Sequence, residues 1–156
     1  MEGIILRDAE PNEKDCSGIL ALIQELADYE NASDQVEMTV QRLIESMKAG
    51  HFKGLIAVEG DNVVGMALWM VQYFADGRKA LYMEDLYIKQ THRRRGLGEA
   101  MVRQLQEEAK KLPGVDSLSW SVLPWNELAI NFYKKKLGAE ILTDWHLKRI
   151  SNIASD

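Results

Sequence analysis

The sequence predicts an α+β fold, a mostly antiparallel sheet with helices on its faces, and three observations carry that reading. Apolar residues recur at helical spacing in two segments near the amino terminus. Three β-rich runs then follow one another through turns too short to hold a crossover helix, so neighbouring strands must run antiparallel. Beyond them a helix, a strand, a short helix and a final strand complete the pattern, the arrangement expected when helices cover a sheet. Residues 1–150 read as one domain without repeat or linker, and "SNIASD" at 151–156 reads as a loose tail.

Each element has its own signal. "GIILRDA" is a short apolar run with β-branched residues ahead of the polar "EPNEKD", and makes a first strand. Cys16, Ile19, Leu20, Ile23, Leu26 and Ala27 share one face of a helix from about Asp15 to Tyr29. "NASDQVEM" breaks it, Thr39 caps a second helix, and Gly50 stops that one. In "GLIAVEGDNVVGMALWMVQYF" two apolar runs flank Glu59-Gly60-Asp61-Asn62, a hairpin signature, and "ADGR" at 75–78 turns the chain into "KALYMEDLYI". Leu97, Met101, Leu105 and Leu112 mark a third helix ending at Pro113-Gly114, "DSLSWSVL" alternates as a strand, "ELAINFYKKKLGA" is a short helix, and "DWHLKRI" is a last strand. Trp69 and Trp120 sit within strands and read as core residues.

Composition narrows the function. The chain has 156 residues, 46% of them hydrophobic, and 19 Lys+Arg against 24 Asp+Glu give a formal charge of -5, so cationic small molecules are easier guests than polyanions. A nucleic-acid partner is not expected, and no apolar stretch reaches membrane-spanning length, so no membrane partner is expected either. Cys16 is the only cysteine, which rules out an intrachain disulfide, a CxxC redox pair and a zinc site of paired cysteines, and fits a cytoplasmic address. His51, His92 and His146 show neither HxxxH nor HExxH spacing, so no metal is expected.

Against this acidic balance stands "HRRRGLGEAM", residues 92–101. A strand, a loop of arginine and glycine, and a helix beginning near Leu97 together make an anion site. The first amides of a helix lack intrahelical partners and lie at its positive pole, and glycine lets backbone close on a phosphate. The bland alternative is a solvated cationic helix start. Arg93-x-x-Gly96-x-Gly98 matches neither GxxxxGK[ST] nor GxGxxG. It is similar to the RxxGxG acetyl-CoA motif of the GNAT N-acetyltransferases, and it occupies that family's place, after the fourth strand and before the third helix.

The resemblance extends along most of the chain. "LIQELADYENASDQV", "LYMEDLYI" and "WNELAINFYKKKLGAE" resemble the spermidine/spermine and thialysine acetyltransferase branch, although "YFADGRKA" lacks a tryptophan usual there and Arg94 stands where glycine is common. The resemblance implies a sheet of six to seven strands splayed at strands 4 and 5, with helices on both faces. It implies a homodimeric, acetyl-CoA-dependent N-acetyltransferase acting on a small primary amine, a thialysine-like or lysine-like amino acid or a diamine, by direct transfer in a ternary complex. A polyamine acetyltransferase and a non-catalytic acetyl-CoA-binding module are the alternatives.

The same resemblance assigns residues. Backbone amides of Arg94 to Glu99 would cradle the coenzyme pyrophosphate, with Arg93, Arg94, Arg95, Gly96, Leu97, Gly98 and Glu99 forming the coenzyme set. Leu86, Tyr87 and Ile88 would polarise the thioester carbonyl through their amides, and Asn126 would hold the pantetheine arm. An alkylamine keeps its proton to about pH 10, so a base must take it, and Glu84 occupies that place. Strand alternation puts Glu84 and Asp85 on opposite faces unless a bulge intervenes, which leaves Asp85 as a structural partner for the loop arginines. Tyr133 matches the family tyrosine that meets the departing thiolate, and Tyr29 and Glu30 suit an ammonium group.

Overall fold

The computed structural model describes residues 2–144 together with 148 and 149. These fall into two compact units that divide after Ser121. The first unit holds strands β1 (Ile4–Asp8), β2 (Lys53–Glu59), β3 (Asn62–Tyr73), β4 (Lys79–Ile88) and β5 (Val115–Trp120), with helices α1 (Glu13–Tyr29), α2 (Val40–Lys48) and α3 (Leu97–Lys111). The second contains α4 (Glu127–Leu137).

The sheet order is β1-β2-β3-β4-β5. Its first three pairings are antiparallel, whereas β5 lies parallel to β4 because α3 carries the chain back across the sheet. The expected six to seven strands are thus five among the described residues. After α4, residues 138–144 form no strand, with Ile141 and Leu142 72% and 77% exposed, so that stretch has no buried face to lay on a sheet. The strand expected over 144–150 falls mostly on residues outside those described.

The two sheet faces are covered differently. Ile56, Met66, Leu68 and Tyr87 pack against Cys16, Ile19 and Leu22 of α1 and Leu43 of α2, which makes Cys16 a core residue. On the other face α3 buries Leu97, Met101 and Leu105. A Cβ at Gly65 of β3 would lie 2.8 Å from Ile88 Cδ1 and 3.3 Å from Met101 Sδ, so the bare glycine lets α3 settle onto the strands.

The ends of α1 are fixed by local chemistry. At its start the Asn12 side chain accepts a hydrogen bond from the Asp15 amide, and the buried Asp15 carboxylate takes both Arg7 guanidinium nitrogens, at 2.7 and 2.8 Å, and the Glu10 amide. That fork ties α1 to β1 and holds the Asp15 carboxyl below its ordinary range. At its end Asn31 adopts the left-handed conformation, φ 56°, so that its amide bonds Asp28 and the Ala32 amide bonds Ala27, a Schellman closure. This closure sets Tyr29 and Glu30 on the last turn.

Candidate active site

The central irregularity lies in β4. Leu68 of β3 pairs with Asp85, yet the next residue, Trp69, pairs with Met83, so Glu84 is the extra residue of a β-bulge. Upstream, Leu81 and Met83 lie opposite Val71 and Trp69; downstream, Asp85 and Tyr87 lie opposite Leu68 and Met66, on the face covered by α1. The odd-numbered residues therefore change faces at Glu84, and the alternation expected of Glu84 and Asp85 does not hold.

The bulge and the end of α1 make an acidic corner. Asp85 is half-buried, and its carboxyl is pushed up to about 6, first by burial and then by the charges of Glu84 and Glu30. Glu30 is half-buried and burial raises its carboxyl too, while Glu84 is exposed. Asp85 thus stands among carboxylates rather than serving the loop arginines. Three acids that repel one another attract a cation, and a carboxyl near 6 remains a base at neutral pH while binding a proton more readily than an ordinary aspartate. Strand alternation alone undervalues Asp85, because it holds only where no bulge intervenes. A signal was present in "LYMEDLYI", where the aliphatic positions pass from odd, Leu81 and Met83, to even, Leu86 and Ile88.

Beside this corner β4 has an open edge. Its pairing with β5 stops at Met83↔Trp120, where β5 itself ends, so residues 84–88 run past β5. The Lys89 amide donates to Val64 at 2.9 Å, and antiparallel alternation then turns the peptide groups of Ile88 and Leu86 away from β3, towards that edge. Of the three residues expected to supply amides there, Leu86 and Ile88 present them and Tyr87 faces β3.

The chain then enters the basic loop. Arg94 and Gly96 take left-handed conformations, φ 62° and 75°, and α3 begins at Leu97, its N-cap Gly96 having no side chain to offer. Alternating backbone hands of this kind turn amides inward as an anion cradle. Arg94, Arg95 and Gly96 are exposed, Gly98 and Glu99 half-exposed, and buried Leu97 anchors the helix. The three arginines diverge: half-buried Arg93 donates through Nε to Ile88 O at 2.9 Å, and its guanidinium carbon lies 5.1 Å and 5.7 Å from the ring centres of Tyr87 and Tyr29.

In the second unit the Asn126 side chain caps α4, accepting from the Ala129 amide at 3.2 Å. Tyr133 is half-buried on α4, its ring 5.4 Å from that of Phe132. Gly138 ends the helix with φ 66°.

Comparisons with known proteins give the chain a family and a fold. The acetyltransferase (GNAT) family model matches residues 19–139. The chain is 34% identical over 167 residues to the thialysine N-epsilon-acetyltransferase of Bos taurus, covering 99% of this chain and 96% of the relative. It is 31% identical to the human spermidine/spermine N(1)-acetyltransferase-like protein 1 over 97% of this chain and 23% of that longer protein. Among solved structures, the aminoglycoside N-acetyltransferase AAC(6')-Iy in complex with CoA superposes with a TM-score of 0.74 at 14% identity, covering 96% of this chain and 95% of that one, a likeness of fold.

Proposed function

The chain belongs to the GNAT acetyltransferase family and is an N-acetyltransferase, and from that premise we propose that it moves acetyl from acetyl-CoA to a small primary amine of the thialysine, lysine-like or diamine type. One observation carries the choice of substrate: Glu30, Glu84 and Asp85 gather negative charge beside the open edge of β4. A primary ammonium is drawn there, loses its proton to a carboxylate directly or through water, and attacks the thioester carbonyl. We assign the base to Glu84 with Asp85, whose proton affinity is the better matched to neutral pH.

The remaining assignments follow the backbone. Leu86 and Ile88 offer amides to the thioester carbonyl where charge develops. The amides from Arg94 to Glu99 hold the pyrophosphate, with charge from the exposed Arg94 and Arg95, and Asn126 flanks the pantetheine arm. Acetyl-CoA is the co-substrate, and direct transfer fits a chain whose single cysteine is buried with its thiol raised, chiefly by burial. Residues 1–150 act as one N-acetyltransferase domain, for which the family match running from 19 to 139 across both units is the support. The active form is a homodimer, a reading supported by the exposed apolar side chains of the second unit.

A panel of amines with acetyl-CoA, read by thiol release, tests the proposal; thialysine, lysine and short diamines are expected to turn over ahead of spermidine and spermine. Tyr133→Phe tests the acid. A phenol that meets the thiolate acts mainly in the transition state, so turnover is expected to fall by roughly ten- to a thousandfold with coenzyme affinity and melting temperature little changed. Turnover at the parental rate removes Tyr133 from the mechanism.

A further inference from the structure

Arg93 opens the RxxGxG loop, yet its side chain does not reach along that loop. It crosses to the end of α1. The guanidinium is within cation–π reach of both Tyr29, on the last turn of α1, and Tyr87 of β4, while Nε holds the Ile88 carbonyl. Around it the Tyr87 hydroxyl donates to Glu25 Oε2 at 3.2 Å, and Lys89 Nζ lies 3.7 Å from Glu25 Oε1. Every side chain in this group therefore links α1 to the stretch from 87 to 93 that leads into the coenzyme loop. A planar guanidinium can stack on two rings and still donate in its own plane, which an ammonium cannot do.

We propose that Arg93 is a positioning residue, binding the acceptor end of α1 to the coenzyme loop so that the two substrate sites are coupled. The proposal rests on the acetyltransferase reading above. Glu30 is one of the three acids of the corner, and the Asn31 closure makes it and Tyr29 move with the last turn of α1. When coenzyme orders the loop at Arg94 to Glu99, the contact of Arg93 with Tyr29 is held in place, and the acceptor end of α1 is ordered with it. Linkage makes the effect reciprocal: an amine that orders this end must tighten coenzyme binding by the same factor. The pyrophosphate charge then falls to Arg94 and Arg95, which are exposed.

Arg93→Met keeps most of the stem and removes the guanidinium. Without amine, its coenzyme A affinity by calorimetry is expected to stay within about threefold of the parent, since the loop amides and two arginines remain. At saturating acetyl-CoA, the KM for the amine is expected to rise about tenfold with kcat changed less than about threefold, because a ground-state positioning contact is lost. Amide hydrogen exchange at residues 26–30 is expected to quicken while that of α3 does not. Arg93→Lys, charged but unable to stack and fork, is expected to follow the Met variant and covers the case in which that variant folds poorly. A tenfold loss of coenzyme affinity with amine KM unchanged makes Arg93 a pyrophosphate ligand and overturns the proposal, as does unaltered exchange at residues 26–30. If the parent acetylates no amine, the acetyltransferase reading fails, whereas the calorimetry and the exchange still decide whether Arg93 ties loop to helix.

Discussion

Asp85 shows how a single side chain can favour function over stability. Its carboxyl binds a proton at about 6 in the folded chain against an ordinary 3.8, so between those values the folded state holds more protons than the unfolded one. Stability from this group is therefore full at low pH and falls as pH rises towards 6, by roughly 3 kcal/mol at about 1.4 kcal/mol per tenfold change in proton affinity. Asp85→Asn is expected to melt higher than the parent at about pH 7.5, to lose that advantage near about pH 4, and to turn over amine more slowly throughout. Thermal melts across that range check it, and a variant no more stable than its parent at the upper end contradicts the burial of this carboxylate among its like-charged neighbours. Legibility also varied residue by residue. Thr39, Gly50 and the glycines of the loop carry their signals in their own chemistry, a capping hydroxyl or a missing Cβ. Asp85 and Arg93 carry none of that kind in their own chemistry, because what they do depends on a bulge, marked only by its neighbours, and on two tyrosines 58 positions apart in the chain, Tyr29 and Tyr87.

Among the elements, the strand–loop–helix from β4 to α3 decides coenzyme binding. At Gly96 a side chain would meet nothing within 4 Å, so the cost of adding one there to the free protein comes from the left-handed backbone, φ 75°, alone. Gly96→Ala is expected to lower stability by only about 1–2 kcal/mol while weakening coenzyme A by about tenfold or more, since the new methyl stands where the pyrophosphate must approach. Melting and calorimetry measured together separate the two, and unchanged coenzyme affinity withdraws the anion site from this loop. The helices and all five strands were legible from periodicity and turn residues, and so were both hairpins: Gly60-Asp61 joins β2 to β3, and Asp76 accepts from the Arg78 amide where β3 turns into β4. The parallel seating of β5 was not, since a strand's own alternation is the same whichever way its neighbour runs.

For the whole molecule, the exposed apolar residues of the second unit set an expectation about assembly. Leu128, Ile141 and Leu142 are 67%, 72% and 77% exposed and Trp125 is 51% exposed, apolar side chains that association with a second copy would cover. Light scattering is expected to report twice the 17.7 kDa chain mass, and Leu128→Asp with Leu142→Asp to shift it towards the single mass; a monomeric parent refutes the dimer. The bulge at Glu84 has a different reach. It works as a change of phase: the half of β4 before it keeps time with the α3 side of the sheet, and the half after it keeps time with α1. With Glu84 taken into the ladder instead of left out of it, the strand would keep every side chain it needs but would be turned inside out from position 85 onward. Asp85 would be delivered to the oily side under α3, and Leu86 and Ile88 to the acidic corner. The chemistry of this protein thus depends on a count, one residue more than a regular strand requires, as well as on the kinds of residues counted.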